Sequence, residues 1–97
     1  MSEALEPDLD QFSASRILDG HLTLWQPRKG YRAGLDAALL AAACDSEAGE
    51  RWIEPGCGVG GALLQAAYRH ERTRFVGVER DPAAAALARQ NVTQNNL

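Results

Sequence analysis

The run Arg51-Trp52-Ile53-Glu54-Pro55-Gly56-Cys57-Gly58-Val59-Gly60-Gly61 constrains this chain more than any other segment. It closes a short apolar strand with an acid, sets glycines at three alternate positions, and then opens a helix. Glycine has no Cβ, so the backbone there turns sharply and lets a ligand approach closely, while the unpaired N–H groups of the helix start face that ligand. A loop of this kind suits a nucleotide-derived cofactor. Glu54 narrows the choice: a carboxylate repels a pyrophosphate, but holds an ammonium or sulfonium group or accepts hydrogen bonds from hydroxyls.

A second acid closes the next strand. Arg74-Phe75-Val76-Gly77-Val78-Glu79 is rich in β-formers, and Arg80-Asp81-Pro82 stops it, with Asp81 a good N-cap and Pro82 suited to the first helical position. A helix is expected from Pro82 to about Asn95. In an open α/β sheet ligands sit at the carboxyl ends of the strands, so Glu54 and Glu79 would line one crevice. The two oxygens of one carboxylate can accept from two adjacent hydroxyls, as a ribose presents them.

The pattern Glu-x-Gly-x-Gly-x-Gly resembles the S-adenosylmethionine (SAM) loop of class I methyltransferases. Gly56-x-Gly58-x-x-Gly61 also fits the dinucleotide fingerprint, with Glu79 at about the right distance to meet a ribose. In that fingerprint the position two before the first glycine is normally a buried strand residue, where a lone carboxylate would lose its hydration. Glu54 therefore favours SAM over NAD. The plain alternatives are a glycine-rich turn that binds nothing and, for Glu79, a solvated strand-end acid.

At 97 residues and 45% apolar the chain is globular in character and a single domain at most, with no run long enough to span a membrane. Its acidic start (Glu3, Glu6, Asp8, Asp10) matches neither a secretory signal nor a transit peptide, so a cytoplasmic location is expected. Two cysteines without a CxxC spacing, Cys44 and Cys57, read as reduced thiols, and no metal site is expected. Neither His21 nor His70 has a motif around it, and both read as surface or structural. The net charge of −3 argues against a bulk nucleic-acid binder. Two small basic clusters, Arg28-Lys29 with Arg32 and Arg69-His70 with Arg72 and Arg74, read as solvated, since no aromatic residues interleave them.

Residues 1–15 are expected to form a loose acidic tail, and residues 16–97 the domain. Ile17 to Trp25 reads as a strand or hairpin turning at Asp19-Gly20. Asp36 can cap a helix from about Ala37 to Cys44, whose nearly all-apolar surface would be buried. Leu63, Leu64, Ala67 and Tyr68 recur at helical spacing and read as core.

The segment from Gln26 to Ala41 makes the resemblance more specific. With Ile53-Glu54, the glycines, Val78-Glu79, Asp81-Pro82 and Ala88-Arg89-Gln90-Asn91 ending in Asn95-Asn96, it looks like bacterial methyltransferases related to the tRNA(Val) adenine-N6 enzymes, over about Ile17 to Leu97. The resemblance implies that Gly56, Gly58 and Gly60 pass under the methionine part of SAM, that Glu79 holds the ribose, and that Arg32 to Asp36 flank the pocket. The implied cofactor-binding set is Glu54, Gly56, Cys57, Gly58, Gly60, Glu79, Arg80, Arg32 and Asp36, with no catalytic residue. Glu54 stands where the family usually has Asp, and Pro55 replaces an apolar strand residue.

The family's catalytic Asn-Pro-Pro-Tyr type motif does not occur in these residues, so this chain alone is expected to be inactive. Two parallel strands also make too small a sheet to stand alone. The expected fold class is α/β, a Rossmann-like SAM methyltransferase fold truncated after its second βα unit, with an N-terminal strand or hairpin and a helix. The expected partners are tRNA, in the complete enzyme, and a second copy or a completing chain. A non-catalytic nucleotide-binding or interaction fragment is the competing reading.

Overall fold

A computed structural model describes residues 8–30 and 32–97. Residues 1–7 of the expected tail, and Tyr31 within the segment that carries the resemblance, lie outside the described residues. The described elements are β1 (Phe12–Ile17), β2 (Leu22–Pro27), α1 (Leu35–Ala43), β3 (Arg51–Pro55), α2 (Gly61–Arg69), β4 (Arg74–Val78) and α3 (Pro82–Gln94). The fold is a small α/β arrangement: an antiparallel hairpin, a helix, and two βα units whose strands pair in parallel.

The hairpin turns where expected. Ile17 faces Leu22 across a four-residue loop, and Leu18, Asp19 and Gly20 take positive φ of 51°, 54° and 82°. Its first strand is longer than expected, since residues 12–15, assigned to the loose tail, form most of β1. After Phe12 the Ser13, Ala14 and Ser15 side chains carry little apolar signal, and it is pairing with the buried β2 that orders them.

The core gathers around β2 rather than around the parallel strands. Leu22, Leu24 and Trp25 are buried with Ala37 and Ala41 of α1, Leu64 and Ala66 of α2, and Leu87 and Ala88 of α3. Helix α3 also bonds the edge of β2 through side chains. Asn91 Oδ1 accepts from Trp25 N at 2.9 Å and its Nδ2 donates to Trp25 O at 3.1 Å. One turn later, Asn95 Oδ1 accepts from Thr23 N and its Nδ2 donates to Thr23 O, both at 2.8 Å. Two side-chain amides thus do for β2 what a third strand's backbone would do.

Two expectations for α1 are corrected. Gly34, not Asp36, occupies the N-cap, and Asp36 is the second helical residue, whose Oδ1 accepts from Gly34 N at 3.3 Å. The helix surface is not buried throughout: only Ala37 and Ala41 are, while Leu35, Leu39 and Leu40 are more than half exposed. The same holds for one face of the parallel pair, where Ile53 is 62% and Val78 54% exposed. Of the residues read as α2 core, Leu64 is buried, whereas Tyr68 is 39% exposed and stacks on His21 at 5.4 Å. His70 places Nε2 3.1 Å from Cys44 O. Both cysteines are free. Among the described residues no helix is long and apolar enough to cross a membrane.

Candidate functional site

The loop between β3 and α2 folds over the end of β4. Gly56 N and Cys57 N both donate to Val78 O, at 2.7 and 3.2 Å, and Gly60 N donates to Cys57 O at 3.0 Å. This path needs left-handed backbone at alternate residues, with φ of 69° at Gly56, 58° at Gly58 and 98° at Gly60, which glycine adopts without steric cost. It also needs Gly77 of β4, because a Cβ there would lie 2.6 Å from Cys57 Sγ and 2.8 Å from Leu63 Cδ2. Cys57 fills that notch. Burial, and then the charges of Glu54 and Glu79, push its thiol above the ordinary value, the opposite of an activated nucleophile.

Glu79 ties the loop to the next helix. Its Oε1 accepts from Gly58 N at 2.8 Å and its Oε2 from Asp81 N at 2.9 Å. The N–H groups of Asp81 and Gly58 hold its carboxyl below the usual carboxylate value. A carboxylate has about four acceptor positions, so acceptor capacity is left for two hydroxyls. Asp81 caps α3, its Oδ2 accepting from Ala84 N at 3.2 Å with Pro82 in the first turn, as its sequence position predicts.

Glu54 has a different environment. Its Oε1 is buried with no hydrogen-bond partner, and burial raises the carboxyl above its ordinary value. It borders two cavities. One, of about 300 Å³, lies between α1, β3 and α2 and is otherwise lined by apolar residues such as Leu40, Ile53 and Leu63. The other, of about 520 Å³, lies at the carboxyl ends of β3 and β4 and is lined by Asp36, Glu54, Gly56, Cys57, Gly58, Glu79 and Asp81, with Pro27, Ala33 and the start of α2. Four carboxylates and no Lys or Arg border this second cavity among the described residues.

Six of the nine residues implied by the resemblance therefore meet around one space. Three do not. Arg32 turns to the hairpin, where Nη1 donates to Pro27 O and Nη2 to Ser15 Oγ at 3.4 Å. Arg80 is exposed and outside the lining. Gly60 is buried as the N-cap of α2, with the Leu64 side chain packed where a Cβ would stand. Asn91 escaped the sequence reading as a site residue: besides bonding Trp25, its Nδ2 donates to Val59 O in the loop at 2.9 Å. The only local sign of it is the Asn-x-x-x-Asn spacing on α3.

No family model matches the chain. It is 30% identical over 75 residues to the tRNA1(Val) (adenine(37)-N6)-methyltransferase of Flavobacteriaceae bacterium (strain 3519-10), in an alignment covering 77% of this chain and 32% of that protein. This chain is distantly related to a methyltransferase. It spans about a third of that relative's length.

Proposed function

We propose that this chain is the SAM-binding, amino-terminal part of a Rossmann-like methyltransferase domain that begins at Phe12 and, in the complete enzyme, transfers a methyl group to an adenine N6 of tRNA in the cytoplasm. The observation that carries the reading is the cavity at the ends of β3 and β4, bordered by four carboxylates and by glycines 56 and 58. A pyrophosphate would face four carboxylates there with no Lys or Arg among the lining residues to offset them. SAM instead offers a sulfonium, an ammonium and a ribose diol, and the cavity lies within the roughly 300–1,000 Å³ typical of small-molecule sites.

The residues fit that ligand by their chemistry. A Cβ at Gly56 or Gly58 would meet no atom within 4 Å, so the space beside the loop is open to a close-lying cofactor. The buried Oε1 of Glu54 lacks a donor that an ammonium would supply, and the remaining acceptor positions of Glu79 suit adjacent hydroxyls. When bound, SAM supplies the activated methyl group. The chain's residues orient it for in-line attack and move no proton. The acceptor assignment rests on the relative's name and on the resemblance in sequence. The bare face around Ile53 and Val78, on a parallel sheet of only two strands, favours a second element of the same reading, that further elements, on this chain or another, extend the sheet and cover that face.

Calorimetry with SAM, S-adenosylhomocysteine and NAD tests the proposal. SAM or its demethylated product should bind and NAD should not, and Glu79→Ala should weaken binding by about tenfold or more, as hydroxyls are left unpaired. Preferential NAD binding, or equal affinity without the Glu79 carboxylate, would sink it.

A further inference from the structure

We infer that Asn91 is a positioning residue for the glycine loop, coupling the order of the cofactor site to the hairpin outside it. The inference rests on the SAM-site reading for its ligand arm and on geometry alone for the rest. Asn91 is fully buried. Its orientation is fixed by its neighbours, because the Trp25 N–H can only donate and the carbonyls of Trp25 and Val59 can only accept, so Oδ1 must face the first and Nδ2 the other two. Both Nδ2 hydrogens are used, one on β2 and one on the loop.

Val59 lies between Gly58, whose N–H donates to Glu79, and Gly60, whose N–H closes the turn onto Cys57 O. The Val59 carbonyl shares its peptide plane with the Gly60 N–H, so anchoring it fixes the aim of that N–H at Cys57 O and, through the turn this bond closes, restrains Gly58 within it. The first half of the loop is held by the bonds of Gly56 and Cys57 to Val78 O and by the packed Cys57 side chain, whereas Gly58 and Gly60 have no side chain to pack and depend on bonds such as this one. Asn95 serves as an internal control: it makes the same pair of bonds to Thr23, its Nδ2 also donates to Asn91 O within the helix at 2.7 Å, and it makes no bond to the loop. The hairpin and the cofactor loop, far apart in sequence, therefore share one side-chain amide.

The experiment compares Asn91→Asp with Asn95→Asp. Each swaps an amide donor for an acceptor facing a β2 carbonyl, fully buried at Asn91 and part-buried at Asn95, so the comparison is read at the loop amides and not from overall stability. Amide hydrogen exchange of Gly58 and Gly60, referenced to Ile53 in the neighbouring strand, should rise about tenfold in Asn91→Asp and stay unchanged in Asn95→Asp. S-adenosylhomocysteine affinity should fall about tenfold in the first variant only. Equal effects of the two substitutions, or none on the loop amides, overturn the inference. Should Asn91→Asp fail to fold, the unaltered chain provides the decision. Saturating S-adenosylhomocysteine should slow exchange of the Asn91 side-chain amide and leave that of Asn95 as it was, and a matching response at both overturns the inference. A chain that binds no S-adenosylhomocysteine at all refutes the SAM site instead, while the loop-exchange arm still decides the role of Asn91.

Discussion

Glu54 Oε1 is buried without a donor, and burial raises the pKa of its carboxyl. The folded chain therefore holds the Glu54 proton more tightly than the unfolded chain does. Stability from this group is full below its unfolded pKa and is lost as pH rises through the raised folded value. Glu54→Gln removes that loss, so at neutral pH the ligand-free variant should unfold at the same temperature as the unaltered chain or a higher one, with the difference vanishing below about pH 4. A cationic ligand inverts the preference. SAM affinity should increase as pH rises through the same range, and Glu54→Gln should cost about 1.5–3 kcal/mol of binding. A variant that melts lower at neutral pH and binds SAM unchanged would reduce Glu54 to a packing residue. The acids and glycines of this site are legible in sequence because their signals are local: strand-end position for one, alternate spacing before a helix for the other. Arg32 was not legible, since the direction of a long side chain is set by partners such as Pro27 and Ser15.

Helix α3 starts where its sequence says, at Asp81-Pro82. Asp81→Ala removes the acceptor for Ala84 N and should lower stability by about 1 kcal/mol, measured by denaturant unfolding followed through the tryptophans. An unchanged midpoint would mean that backbone and solvent already satisfy the cap. The strands β3 and β4 were legible from their apolar runs and flanking breakers. Strand β1 and the cover of α1 were not. The alternating Ser13 and Ser15 of β1 are ordered by β2, and the apolar surface of α1 says that it wants a partner without saying that one is within reach. Likewise Asn91 and Asn95 look like ordinary polar helix residues until β2 is known to run beside them.

Across the whole molecule, apolar surface lies bare on α1 and on one face of the parallel pair, and surface of that kind drives association. The chain should sediment as more than a monomer. Ile53 and Val76 face each other in register, so the double substitution Ile53→Lys with Val76→Glu, which sets opposite charges across the pair, should raise the monomer fraction. A monomeric unaltered chain with a sharp thermal transition would mean that these faces need no cover. The two rungs between α3 and β2 carry a consequence for shape. Four residues of helix advance about 6.0 Å, whereas two residues of strand advance about 6.8 Å, so helix and strand fall out of step as they run together. By the same spacing a third rung would set Leu87 against Pro27, an apolar side chain against a residue with no N–H to offer. The zipper between them is therefore finite. Beyond Asn91 no side-chain amide continues the rungs, and Pro27 at that end of β2 borders the carboxylate-lined cavity: the site lies where the bonded seam stops.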